Sequence, residues 1–344
     1  MEHERHLSMR DVAARAGVSV GTVSNVLNWP AKVSPTTAHR VRQAIDDLGW
    51  VPNEGARQLR TGHLRTIGMI VLDIANPYFA EVALGVEDVL YNHGFSVFIG
   101  NSNQQPEREE RLLRQYEEHR VRGIILAPIA GVNQYAKRLR RRGIPVVMLD
   151  RAYDSEACGV GVDDVEGGRL AATHLVERGH RRLAFVGGPM VLAQVRDRRA
   201  GAERALRSLT DDGSLLTVTT PALAIQPGLE AAEEILALPP ATRPTAVFAA
   251  NDLLAIGLLQ GFVSAGVRVP EDIALIGYDD IEFAASSAVP LSSIHQPRRA
   301  MGAQAAALLI DQIKALDEGE EHFHQAVRMT PVLVARRSTD APPR

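Results

Sequence analysis

Residues 8–28 read SMRDVAARAGVSVGTVSNVLN, and this stretch decides what the N-terminal part of the chain is. Ser8 stands three residues before Asp11, the spacing of a helix cap and its reciprocal acidic partner. Met9, Val12, Ala13 and Ala16 follow at i, i+3, i+4 and i+7, one apolar stripe. Gly17 stops that helix and Ser19 caps a second one. The second helix buries Val23, Val26 and Leu27 and turns Gly21, Thr22, Ser24 and Asn25 the other way. Two short helices joined by a tight glycine turn form a helix-turn-helix. Ser34-Pro35 announces a third helix, with Val41, Ala44, Ile45 and Leu48 as its apolar face and Gly49 as its stop.

A DNA major groove admits one such helix, whose first side chains reach base edges while nearby hydroxyls and amides hold phosphates. Charge agrees in sign. Residues 1–65 hold nine Lys/Arg against six Asp/Glu, whereas the whole chain has a net charge of −3. The stretch Asp11–Ser19, followed by Thr22-Val23-Ser24-Asn25-Val26-Leu27-Asn28, resembles the head of the lactose-repressor/galactose-repressor family of bacterial regulators. The resemblance implies that Val20, Gly21 and Asn25 face bases, that Ser19, Thr22 and Ser24 lie near phosphates, and that Asn28 belongs to the same DNA-binding surface. Arginine is frequent in the family where Asn25 stands here. Arginine favours guanine and asparagine favours adenine, so a relative's operator sequence does not transfer.

Asn53-Glu54-Gly55-Ala56-Arg57-Gln58-Leu59-Arg60-Thr61-Gly62 is too short and polar to form a stable helix alone. From its residues it is either a flexible tether or a segment that folds on a partner. The resemblance implies the second: a hinge helix on operator DNA, with Leu59 wedging a minor-groove base step, Ala56 facing the groove and Arg60 reaching phosphate.

From residue 66 onward, short apolar runs such as Thr66–Leu72, Ser96–Ile99, Gly123–Leu126, Pro145–Leu149, Leu183–Val186, Ala246–Phe248 and Ile273–Ile276 alternate with helical stretches. The alternation predicts parallel sheets covered on both faces. By itself it fits one barrel or two doubly wound lobes. The resemblance implies an α/β chain with two lobes of the type I periplasmic-binding-protein kind. The expected division is a helix-turn-helix domain at 8–51, a hinge at 52–64 and an effector-binding and dimerisation domain at 65–338. Lobe one is expected at about 65–160 and 293–325, and lobe two at about 161–292 and 326–338.

Ligands of open α/β sheets sit beyond the carboxyl ends of the strands. Carried over singly, the implied effector contacts are Tyr78, Phe79, Asp150, Arg198, Asn251, Asp279 and Gln296. Carboxylates, amides and a guanidinium hold adjacent sugar hydroxyls while an aromatic ring covers the apolar face. The aromatic partner from the opposite lobe falls near Leu223, which is not aromatic.

Composition closes other routes. Apolar residues make up 45% of the chain, with no run long enough to span a bilayer, and the first residues lead us to expect no secretory leader. One cysteine, Cys158, rules out a disulfide framework and points to a reducing, cytoplasmic setting. No nucleotide loop or H-E-x-x-H is present, and Gly159-Val160-Gly161 and Gly187-Gly188 lack phosphate-loop spacing. His322 and His324 read as a solvated turn, and no metal or cofactor is expected. The reading is a homodimeric repressor with double-stranded operator DNA and a small-molecule effector, a carbohydrate, as partners. The alternatives are a purine corepressor, which reverses the sign of the coupling, and a sugar-binding protein without DNA function. The tail after Val334 has no leucine heptads to build a tetramer.

Overall fold

The structure, a computed structural model, describes residues 7–50, 65–130, 134–151 and 157–340. The chain divides into two compact units, Met1–Leu64 and Arg65–Arg344.

In the first unit, α1 (Met9–Ala16), α2 (Val20–Asn28) and α3 (Pro35–Leu48) form the expected three helices. Their ends are set by local hydrogen bonds. Ser8 N and Oγ donate to Asp11 Oδ2 at 2.8 and 2.6 Å, and Thr22 N donates to Ser19 Oγ at 3.1 Å. Gly17 ends α1 at φ 63°, a conformation open to glycine at little cost. Val12, Val23, Val26, Val41 and Ala44 make the core, and Trp50 closes it at 8% exposure.

The second unit holds two six-stranded sheets. The first contains β1 (Thr66–Val71), β2 (Ser96–Asn101), β3 (Gly123–Leu126), β4 (Val146–Leu149), β5 (Gly159–Val162) and β11 (Ala326–Met329), in the order β11-β5-β4-β3-β1-β2. The second contains β6 (Arg182–Val186), β7 (Ser214–Val218), β8 (Ala246–Ala249), β9 (Ala274–Asp279), β10 (Ser292–His295) and β12 (Val332–Val334), in the order β12-β10-β9-β8-β6-β7. Every pairing is parallel except β10 with β12. The central strands are apolar at nearly every position because helices cover both faces. These are α4 (Pro77–Asn92), α5 (Pro106–Glu118), α6 (Gln134–Arg141), α7 (Asp164–Glu177), α8 (Ala193–Leu209), α9 (Ile225–Ala237), α10 (Asp252–Ser264), α11 (Glu282–Ser286) and α12 (Arg298–Glu318).

The sheets exchange chain at points different from those expected. β5 runs to Val162, β10 runs to His295 in the second sheet, and β11 joins the first sheet with Ala326 opposite Gly159. The switches therefore follow Val162, His295 and Met329, two to four residues beyond the approximate bounds of 160, 292 and 325. β11 alternates exposed and half-buried residues as an edge strand does, so nothing in its composition names its neighbour.

One close approach positions the site. At Gly201 on α8 a Cβ would lie 1.9 Å from Val165 O on α7, so only glycine lets these two helices meet. That approach places Arg198 against Asp164.

Candidate functional site

In the first unit, α2 presents Val20 at 42% exposure, with Gly21 and Asn25 also exposed. Ser19 is exposed, and its Oγ lies 2.9 Å from Thr22 Oγ1, so two hydroxyls expected near phosphate are held together at the helix start. Ser24 departs from expectation: at 8% exposure it lies on the buried flank beside Val23, not on the outward face. Asn28 closes α2, but its side chain lies outside the described residues, as do Ala56, Leu59 and Arg60. Two residues were not singled out from the sequence. Trp29 is 55% exposed just after α2, and Lys32 Nζ lies 5.4 Å over its ring.

In the second unit, Tyr78, Phe79, Asp150, Arg198, Asn251, Asp279 and Gln296 line one narrow cleft at the carboxyl ends of strands from both sheets. Asn76 Oδ1 accepts from Tyr78 N at 3.0 Å and so caps α4, which carries Tyr78 and Phe79 with their rings edge-to-face at 4.9 Å. Tyr78 Oη donates to Asp150 beyond β4. Asp279 ends β9 and accepts from Gln296 Nε2 at 2.7 Å and from Asn76 Nδ2 at 3.3 Å. Asn251 caps α10 through Leu254 N at 3.0 Å. Both acidic residues sit in strained backbone, Asp150 at φ 58° and Asp279 at φ 103°. Non-glycine residues persist in such conformations only where the surrounding structure holds them, as at ligand sites.

Arg198 is the cation of the cleft. Its Nε donates to Asp164 Oδ1 at 2.8 Å, its Nη1 donates to Ala250 O at 2.7 Å, and its guanidinium stacks 3.6 Å over Tyr278. Nη1 lies 3.7 Å from Asp279 Oδ1. Burial opposes its charge, but Asp164 and Asp279 hold it protonated. Burial raises the carboxyls of Asp164 and Asp279 above the usual range, with Arg198 acting against the rise. Burial likewise pushes Asp150 up to about 7, while the Tyr78 hydroxyl partly offsets it. Tyr78 is itself raised by burial and then by Asp150.

A raised carboxyl favours the folded state most when protonated, so this contribution is complete below about pH 4 and is lost as pH rises through about 7. The melting temperature of the ligand-free protein is therefore expected to fall between about pH 5 and about pH 8, and Asp150→Asn to flatten that slope. An unchanged slope in the variant would remove Asp150 as its source.

The sequence did not point to Gln104 or Gln194, which also line the cleft, as does Asn76, one of the polar residues that follow the first strand. Gln104 Oε1 accepts from Leu223 N at 3.3 Å, a bridge between the two lobes, as is the Asn76–Asp279 bond. Leu223 O accepts from Asn251 Nδ2 at 3.4 Å, so this position works through its backbone as well as its aliphatic side chain. For Gln104, a signal lay in the residues beyond β2, but a lone glutamine there has many ordinary explanations.

Two family models match the chain: bacterial regulatory proteins of the lacI family over residues 8–53, and a periplasmic binding protein-like domain over residues 172–339. The HTH-type transcriptional repressor PurR of Aliivibrio fischeri strain MJ11 is 35% identical over 334 residues, 96% of this chain and 98% of that one. The transcriptional regulator CelR in complex with cellobiose is similar in structure, with TM-score 0.70 and 31% identity over 96% of this chain and 99% of CelR. The Lac repressor dimer bound to operator and the anti-inducer ONPF has TM-score 0.80 and 26% identity, over 97% and 99% of the two chains.

Proposed function

The chain belongs to the lacI family of bacterial regulatory proteins and is a DNA-binding transcriptional repressor, not an enzyme; from this we propose that it binds a pseudopalindromic operator as a homodimer and is released by a sugar. One observation carries the choice of sugar. Asp150, Arg198, Asn251, Asp279 and Gln296 converge on one cleft from both lobes, with an aromatic wall, Tyr78 and Phe79, on one side only. A sugar offers adjacent hydroxyls that donate and accept, and one apolar ring face. A purine has two flat faces to cover, and the opposing wall here is Leu223.

The lobe-bridging bonds, Asn76 to Asp279 and Leu223 N to Gln104, supply the coupling. A sugar that takes up these groups favours a different lobe arrangement and draws the population away from the operator-bound one. Asp279→Asn keeps the shape but removes the charge that accepts sugar hydroxyls. It is expected to weaken effector affinity about tenfold and, by loosening the Asn76 bond that bridges the lobes, to lower operator affinity by a smaller factor. Calorimetric titration and operator binding check this, and undiminished effector release would sink the pocket. The ligand class itself is tested by thermal shift with monosaccharides, disaccharides and purines, since the preferred ligand raises the melting temperature by mass action. A purine as the best stabiliser, tightening operator binding, would replace the sugar reading.

On the DNA side, Val20, Gly21 and Asn25 are the base readers, Ser19 and Thr22 hold phosphate, and Lys32 beside Trp29 adds a phosphate contact. Asn25→Arg is expected to move preference at one position per half-site from adenine towards guanine by about tenfold, the scale of one bidentate contact. Selection from a randomised operator library reads this directly, and an unchanged preference removes Asn25 from the set.

A further inference from the structure

We propose that Cys158, His322 and His324 form a binding site for a borderline-soft transition-metal ion, zinc by its chemistry, where the chain passes from α12 into β11. Cys158 Sγ lies 3.2 Å from His322 Nε2 and 3.8 Å from His324 Nδ1. All three donor atoms fall within 4.8 Å of one another. A tetrahedral zinc with bonds of about 2.3 Å to sulfur and about 2.0 Å to nitrogen sets its donors roughly 3.3–3.6 Å apart, so small side-chain rotations suffice. Thiolate and imidazole are the donor types that select such ions over magnesium or calcium.

The backbone holds these groups in place. Ala326 of β11 pairs with Gly159 of β5, and Gly159 N donates to Gln325 O at 2.9 Å. Gln325 N in turn donates to Cys158 Sγ at 3.3 Å. A backbone N–H on the sulfur is the outer-shell contact that orients a metal-bound thiolate. His322 and His324 stand two apart, the spacing that puts both side chains on one side of an extended chain.

The two imidazoles border an open cleft that Arg140, Gln312, Leu316 and Glu320 also line. Gln312 is only 7% exposed, and its side-chain amide lies beside the Cys158 sulfur, a further outer-shell contact on that donor. The cleft gives a water or anion access to the fourth position of the ion.

The ion would staple the loop after Gly319, the cap of α12, to the start of β5. The same helix begins at the effector cleft, where Arg298 Nη1 donates to Asp280 O at 2.6 Å. The metal site and the cleft are therefore at opposite ends of one helix and share no ligand.

The test is an anaerobic cobalt(II) titration of the reduced full-length protein, followed by displacement with zinc. Cys158 is the single cysteine of the chain, so a thiolate-to-cobalt charge-transfer band can arise nowhere else. One equivalent per chain is expected, with the band abolished in Cys158→Ser and affinity lowered at least tenfold, the scale for a disturbed ligand set, in His322→Gln or His324→Gln. Zinc at about a hundredfold excess over Kd should raise the melting temperature by about 5 °C in the natural sequence and not in Cys158→Ser. Absence of the band in the natural sequence, or an equal zinc response in Cys158→Ser, overturns the site and leaves a thiol–imidazole hydrogen bond. Should a variant fail to fold, the band in the unaltered protein still decides.

Discussion

Arg198→Ala is expected to lower the unfolding free energy of the Arg65–Arg344 unit by about 3–5 kcal/mol, the cost of breaking a buried ion pair from one side. The reason is what it leaves behind. Asp164 loses a 2.8 Å partner, Ala250 O loses its 2.7 Å donor, and Asp279 loses the cation 3.7 Å away. The stacking over Tyr278 disappears as well. Some of the loss is recoverable by protonation. Asp164 and Asp279 already titrate above the usual carboxylate range because they are buried. Without Arg198 they rise further, so the variant sheds stability as pH climbs through those raised values and regains it in acid. Urea melts near pH 5.5 and near pH 8 should therefore show a larger deficit at the higher pH. Arg198→Met combined with Asp164→Asn should restore part of the loss, since it removes the unpaired Asp164 charge and leaves only Asp279 without its cation. A deficit below about 1 kcal/mol, equal at both pH values, would mean that water reaches these carboxyls. The site residue read from the sequence as an effector contact is thus also a structural strut, and a clean loss of response without loss of stability is not expected from it.

That double role shows where sequence reading stops. The head was legible because each signal was local: Ser8 with Asp11, Gly17 and Ser19 all act within a turn or two. Strands β1, β3, β4, β6, β8 and β9 were legible as apolar runs because burial on both faces demands them. β5, with two glycines in its four residues, and the edge strand β11 carry no such run, and their pairing joins positions over 160 residues apart. The exchange points between the sheets were therefore legible only to within a few residues. Family spacing named seven residues of the cleft, yet Gln104, which bridges the lobes, is a polar residue in a loop with no periodic signature. Cys158 and His322 met the same limit. Apart in sequence by 164 positions, they gave an isolated cysteine and a solvated turn until the β5–β11 register set them side by side.

The linker is where the largest functional effect is expected. Leu59→Ala should weaken operator binding about a hundredfold while changing affinity for random DNA by less than about threefold. Leu59 lies outside the described residues, so the expectation rests on its place in a basic, otherwise polar linker and on the family resemblance. Burying one leucine side chain contributes about 1.5–3 kcal/mol, and a dimer presents two. Truncation to alanine forfeits most of that at both wedges, which matches or exceeds the roughly 2.7 kcal/mol of a hundredfold change. Random DNA is held through phosphate contacts that do not require an opened base step, so it should hardly register the change. Arg60→Ala makes the contrast: it should weaken both kinds of binding together and reduce the salt slope by about one for each phosphate left without its arginine. Gly55→Ala should act in the opposite sense, because removing a helix-disfavouring glycine lowers the cost of ordering the hinge by up to about 1 kcal/mol. Equal losses on operator and random DNA for Leu59→Ala would reduce the segment to a tether, and operator choice would then belong to Val20, Gly21 and Asn25 alone.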